Sequence, residues 1–228
     1  MARFADTIIC ISSAARNSIP RRLHSRSVLL RNAHRGSNAP LVPFERLDGP
    51  LKFLIASRWN SWKGHASLLG AWDQDESPGQ LLILGGPPSV GEGVDVEAIV
   101  QDLRHSGSIS IVGQVEDISS YIDEVDFLVL PSDKPEPFGL VILEAFARGR
   151  PVIASRGGGV LDVVVEGSNG LLFDMGEPSQ LHELIHNADR TLAASLGRQA
   201  RRDFEENFSI ESYESRLQNL WPELVRRG

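Results

Sequence analysis

Residues 131–155 read PSDKPEPFGLVILEAFARGRPVIAS, and the fold is decided there. Just before them the run DFLVLP (126–131) is short, apolar and rich in strand formers. From Gly139 to Ala147 every residue is apolar except Glu144, and a helix apolar on all sides is a buried helix. Pro137-Phe138-Gly139 sets its start, and Gly149 and Pro151 set its end. The next strand, PVIAS, begins at once, so the segment is a tight strand–helix–strand unit. An ionised carboxylate inside such a helix is costly unless it is paired or faces a cleft. Glu144 lies one turn beyond Leu140 and points the same way as the helix N-terminus. That terminus offers unpaired N–H groups from about Gly139 to Val141 and a partial positive charge, which suit a phosphate. Glu144 is then placed to accept from a ribose diol. Glu136, in the preceding loop, reaches hydroxyls on the far side of the phosphate. For a lone glutamate a structural hydrogen bond or plain solvation is the commoner role; here the neighbours reverse that preference.

Working outward, strand patterns fall at 7–12, 27–30, 51–57, 81–86, 108–113, 126–131, 151–155 and 170–174. Helical patterns fall at about 63–74, 94–105, 139–148, 177–197 and 209–226. From residue 51 onward the alternation predicts an α/β fold, a Rossmann-like doubly wound parallel sheet with right-handed crossovers. Such sheets bind ligands beyond the carboxyl ends of their strands. The loops expected there are SRWNSWKG, GGPPSVGEG, GQVED, PSDKPEPFG and SRGGG; they are glycine-rich and include Arg58 and Lys63. Residues 35–50 hold three prolines and read as a linker between a strand–helix–strand remnant (1–34) and the domain at 51–208, with a final helix over 209–228.

Composition narrows the class. The chain has 228 residues, 41% apolar and 23% charged, the size of one large domain or one domain with an appendage. A formal net charge of -7 argues against a nucleic-acid partner. The single cysteine, Cys10, excludes an internal disulfide framework and suits a reducing compartment. TIICIS is too short for a signal-peptide core, and Asp6 precedes it. With no run of roughly 18–20 apolar residues, a transmembrane segment is not expected. The expectation is a cytoplasmic protein, peripheral at the membrane surface at most.

Glu136-x7-Glu144 within EPFGLVILEAFARGRPVIAS resembles the EX7E segment of family-four retaining glycosyltransferases of the GT-B fold. SRWNSWKG resembles their phosphate-binding segment, with Arg58 and Lys63 in the matching places. LLILGGPP, SISIVGQVED and SRGGGVLDVVVEGSNGLLFD follow in the family's order, with Leu161 replacing a usual proline. Asn32 matches the asparagine of the family's interdomain junction. The resemblance implies the C-terminal, donor-binding half of a GT-B enzyme. In it Arg58, Lys63 and the amides at Gly139, Leu140 and Val141, beside Phe138, hold the diphosphate of a nucleotide-sugar donor. Glu144 binds the ribose, main chain near Val115 the base, and Glu136 the sugar as the catalytic carboxylate. It implies no cofactor and no obligatory metal, and an unidentified acceptor: glycan, lipid or small molecule. The family's acceptor-side glycine loop and histidine have no match. These residues alone are therefore expected to transfer poorly, with a partner chain or second copy as one source of the missing face. The final helix, with Ile210, Tyr213, Leu217, Leu220, Trp221 and Leu224 on one stripe, is expected to cover residues 1–34 or a partner chain.

Other readings compete with this one. A non-catalytic nucleotide-sugar-binding module fits the same residues. A dehydrogenase or P-loop does not: GGPPSVGEG lacks G-x-G-x-x-G and has Glu92 where a P-loop requires lysine. His182-Glu183-Leu184-Ile185-His186 spells H-E-x-x-H, the helix of a zinc metalloprotease, with Glu205 or Glu206 as a third ligand. Because Leu181, Leu184, Ile185 and Ala188 form a core stripe that leaves the histidines on the outer flank, a chance spelling is preferred.

Overall fold

The computed structural model describes residues 6–37 and 39–227. Residues 1–5 of the opening segment, Asn38 of the linker and the final Gly228 lie outside the described residues.

The domain from residue 51 onward is a six-stranded parallel sheet. Two short strands precede it, β1 (Ile8–Cys10) and β2 (Ser27–Leu29), paired in parallel around the helix α1 (Ser13–Ser18). The main sheet comprises β3 (Lys52–Ala56), β4 (Gln80–Leu84), β5 (Ile109–Gly113), β6 (Phe127–Leu130), β7 (Val152–Arg156) and β8 (Gly170–Asp174). Their spatial order is β5-β4-β3-β6-β7-β8, so the chain reverses its direction of travel between β3 and β6. The register there pairs Phe53 with Phe127 and Leu54 with Leu128. A crevice at that reversal is what the doubly wound topology provides.

The central strands β3, β6 and β7 are apolar over most of their length because both faces are covered. Phe53, Ile55, Phe127 and Val129 face α2 (His65–Trp72), α3 (Val96–Gln101) and α6 (Pro178–His186). Their alternates Leu54, Leu128 and Leu130 face α4 (Ser119–Asp123) and α5 (Leu140–Ala147). Phe53 stacks on Phe127 with centroids 5.8 Å apart and meets Trp72 edge-on at 5.5 Å, fixing the middle of the first layer.

Several boundaries differ from the sequence reading. The helical pattern over 177–197 is two helices, α6 and α7 (Arg190–Asp203). Asp189 adopts an extended conformation and its carboxylate accepts from Leu192 N–H at 2.7 Å, an N-cap that restarts the helix. The pattern over 63–74 becomes α-helical only at His65, because the left-handed Gly64 separates it from a 3-10 turn at Ser61–Lys63. The pattern over 94–105 shrinks to α3, and the short α4 had no counterpart. The last helix, α8 (Ile210–Arg227), keeps its stripe only half-buried, with Trp221 60% exposed.

The linker region is strapped down. Arg148 donates to the carbonyls of Ala39 and Pro40 at 2.8 and 2.7 Å and to both oxygens of Asp123. Arg150 donates to Val42 O at 2.9 Å and lies over the Phe44 ring at 4.2 Å. The N-terminal unit is tied to the loops of the main sheet. Ser12 Oγ donates to Pro137 O at 2.7 Å, and Asp162 accepts from Ser13 and, at 3.0 Å, from Arg31. Among the described residues no helix is long and apolar enough to cross a membrane.

Candidate functional site

Glycines let three loops close on one another at the carboxyl ends of β3, β6 and β7. A Cβ on Gly64 would stand 1.7 Å from Pro131 O, so the loop after β3 rests directly on the start of the loop after β6. A Cβ on Gly158 would stand 2.1 Å from Glu136 O, and one on Gly159 2.3 Å from Pro137 O. The SRGGG segment is the bed on which the Glu136 loop lies, with Gly159 N–H donating to Glu136 O at 2.7 Å. Substitution at these sites would shift the backbone that carries Glu136.

Against this scaffold Glu136 is held from two sides. Its Oε1 accepts from Lys63 Nζ at 2.7 Å and from Ser132 Oγ at 2.5 Å, and the residue is 4% exposed. Lys63 in turn lies over the Trp62 ring at 4.2 Å. Neither Ser132 nor this cross-loop pairing was singled out from sequence, for Lys63 and Glu136 stand 73 residues apart.

Two adjoining cavities of about 380 and 350 Å³ open here and share Ala56, Ser57, Arg58 and Val141. Glu144, Val115 and Gln114 line the first. Lys63, Glu136, Gly139, Leu140 and Asn32 line the second, together with Ile11 from the end of β1. All nine residues selected from the sequence therefore border one continuous concavity. Phe138 differs from the rest: its residue is 2% exposed and its ring packs against Phe208 at 6.4 Å, so its side chain anchors the loop to the core. Gln114 and Ile11 were not selected, since neither residue type is distinctive in its loop.

The charges are arranged to receive an anion. Arg58 is exposed and has no hydrogen bond or ion pair among the described residues. Gly139, left-handed at φ 84°, opens α5 without a side-chain cap, leaving its first amides as donors toward the cavity. Leu140 is 49% exposed, so the first turn of this helix departs from the fully buried pattern expected of it. Burial, seconded by the negative charge of Asp117, raises the pKa of Glu144 above the usual glutamate value.

His182 and His186 lie elsewhere, on α6, and Glu205 is paired with Arg201 at 2.6 Å. The histidines are half-buried rather than on the outer flank, and their rings are 4.0 Å apart.

Comparison with known proteins agrees with the architecture. The family described as "Glycosyl transferases group 1" matches residues 43–203. An uncharacterized glycosyltransferase of Methanocaldococcus jannaschii is 29% identical over 96% of this chain and 60% of its own length. A D-inositol 3-phosphate glycosyltransferase of Corynebacterium kroppenstedtii is 30% identical over 81% of the chain and 40% of its own length. The chain thus spans roughly half the length of these relatives. The structure of Anabaena HepE in complex with UDP and glucose superposes with a TM-score of 0.79 at 21% identity, covering 96% of this chain and 64% of that one. Sucrose-phosphate synthase of Thermosynechococcus elongatus superposes at 0.82 with 26% identity, covering 98% and 59%. The fold is that of the GT-B glycosyltransferases, as the motifs implied.

Proposed function

We propose, for a chain that belongs to the glycosyl transferases group 1 family, that residues 51–208 hold the nucleoside-diphosphate sugar donor of a retaining transfer. The observation that carries this reading is the placement of Arg58, without a partner among the described residues, between the Lys63–Glu136 pair and Glu144. Arg58, Lys63 and the first amides of α5 stabilise the charge that grows on the departing diphosphate. Glu144 accepts from the ribose diol, main chain near Val115 meets the base, and Glu136 orients the sugar. Ser132 and Lys63 preset the Glu136 carboxylate before the donor arrives. The structure of Anabaena HepE, which shares this fold and holds UDP, makes a uridine-diphosphate sugar the first candidate donor.

Titration calorimetry with a panel of nucleoside diphosphates in EDTA tests the donor site. Saturable binding of at least one is expected, and no binding by any would refute the reading. Transfer needs an acceptor held in line with the anomeric carbon, a positioning effect of several kcal/mol. The 228 residues by themselves are expected to bind donor and transfer it poorly. Full transferase activity of this polypeptide in a purified assay would overturn that expectation and assign the acceptor face to residues 1–50 or to a second copy.

A further inference from the structure

The unexplained feature lies at the other end of the sheet. Helices α2 and α6 both start near the carboxyl ends of strands and run back toward their amino ends. There the last turn of α2, the loop 73–79 and the second half of α6 meet. One donor atom from each of Asp75, His182 and His186 lies within 4.8 Å of the other two.

Hydrogen bonds fix which nitrogen each ring has left. His182 Nδ1 faces the carbonyl of Ala71 at 3.0 Å and must carry its proton there. Its Nε2 then presents a lone pair to Asp75 Oδ2, 3.0 Å away. A lone pair facing a carboxylate is repulsive unless a cation stands between them, either a proton or a metal ion. On the second ring Nε2 faces the carbonyl of Glu76 at 2.9 Å, so Nδ1 holds the lone pair. That Nδ1 is buried and has no hydrogen-bond partner among the described residues. A proton on His182 would satisfy only the first contact, whereas a metal ion would satisfy both lone pairs and the carboxylate. Backbone carbonyls that fix the far nitrogen of each ring are also the usual support of metal-bound histidines.

We infer that Asp75, His182 and His186 form a structural site for a divalent transition-metal ion, with zinc as the expected occupant. Two imidazoles and one carboxylate favour zinc, cobalt or nickel over magnesium or calcium. Tetrahedral ligands stand about 3.3 Å apart, so the group must contract slightly. Asp75, with its side chain 72% exposed on a loop, is free to close. The ion would pin the α2–β4 loop to α6, linking parts of the chain more than a hundred residues apart. Glu183 is exposed and outside the group, and the third ligand is Asp75 rather than Glu205 or Glu206, so the site lacks the general base of H-E-x-x-H hydrolysis.

The test uses the full chain, stripped with EDTA and titrated with zinc chloride and, separately, cobalt chloride. One zinc per chain is expected, with a Tm rise of about 5–10 °C at free zinc a hundredfold above its Kd. Cobalt should give the visible absorption of a four- or five-coordinate nitrogen–oxygen site. Asp75→Asn should weaken zinc at least tenfold, and joint His182→Ala and His186→Ala should abolish binding. Because Asp75 is exposed, its variant keeps the test decisive even if the double histidine variant does not fold. Absence of stoichiometric zinc on the folded wild type, or unchanged affinity in Asp75→Asn, would overturn the inference.

Discussion

Arg148 under the linker and Arg58 at the strand ends carry the same guanidinium into opposite surroundings. The first is 2% exposed and holds Asp123 and two carbonyls. The second is exposed and holds nothing among the described residues. A buried cation without partners is prohibitively costly, so Arg148 must be fully bonded for the fold to exist. A cation at a crevice has no such requirement and remains available to a ligand. Where a charge is committed separates the scaffold from the site more clearly than where charges are dense.

Substitution should expose that division, and the largest effect falls on the scaffold. Arg148→Met leaves Asp123 and the carbonyls of Ala39 and Pro40 without their donor. A loss of about 3–5 kcal/mol is expected in urea unfolding, with nucleotide affinity unchanged in the folded fraction. Lys63 is the intermediate case, because it serves both regions. Lys63→Met strands the buried Glu136 with Ser132 alone, and a loss of about 2–3 kcal/mol is expected, below the fully buried range because the lysine is 19% exposed. It should weaken diphosphate binding as well. If Arg148→Met unfolds at wild-type urea concentrations, the contrast fails at its scaffold end.

Arg58→Ala should do the converse. Stability is expected within about 0.5 kcal/mol of wild type, as for other exposed positions. Nucleoside-diphosphate affinity should fall by about 1.5–3 kcal/mol, the range of a hydrogen bond to a charged group. The two carboxylates sharpen the same division. Glu144→Gln should weaken free nucleotide by a similar amount, while Glu136→Gln spares free nucleotide and weakens the sugar conjugate or its turnover. Equal effects of both on free nucleotide, measured by calorimetry, would show that the ribose and sugar assignments are wrong.

What the sequence showed follows from how local each cause is. The βα alternation and the stop at Gly149-x-Pro151 are local, and they placed β3 to β8 and α5. The break at Asp189 was local too, but a continuous amphipathic stripe through 177–197 hid the cap signal. Most of the site was legible because its loops must be glycine-rich to touch. Gly64 and Gly158 are needed for contacts with Pro131 and Glu136. The contacts themselves were not legible. Nothing near Lys63 announces Glu136, and nothing near His182 announces Asp75, because those pairs exist only after the sheet has brought distant loops together. Phe138 is the divided case: it borders the cavity beside the motif, while its ring packs against Phe208 in the core.

The smallest expected effect is also the one that most directly opposes site to scaffold. The pKa of Glu144 is raised by burial and by Asp117, so the native state holds its proton more tightly than the unfolded chain does. Between the unfolded value and the raised native value the native state binds more protons, so stability falls as pH rises through that window and stays reduced above it. At neutral pH the ionised Glu144 therefore destabilises the unliganded fold slightly. Glu144→Gln should raise stability at pH 7 by a fraction of a kcal/mol to about 1 kcal/mol, and the gain should vanish at acidic pH, where the wild-type carboxyl is protonated. Nucleotide binding should show the opposite sign. It requires the ionised form, so wild-type affinity should decline with falling pH from a point above 4.5, the ordinary glutamate value, while the glutamine variant stays weak throughout. A variant that is more stable and binds less well would identify Glu144 as a group retained against the preference of the fold. A variant that is less stable at pH 7 would place Glu144 with Arg148, among the residues that hold the structure together.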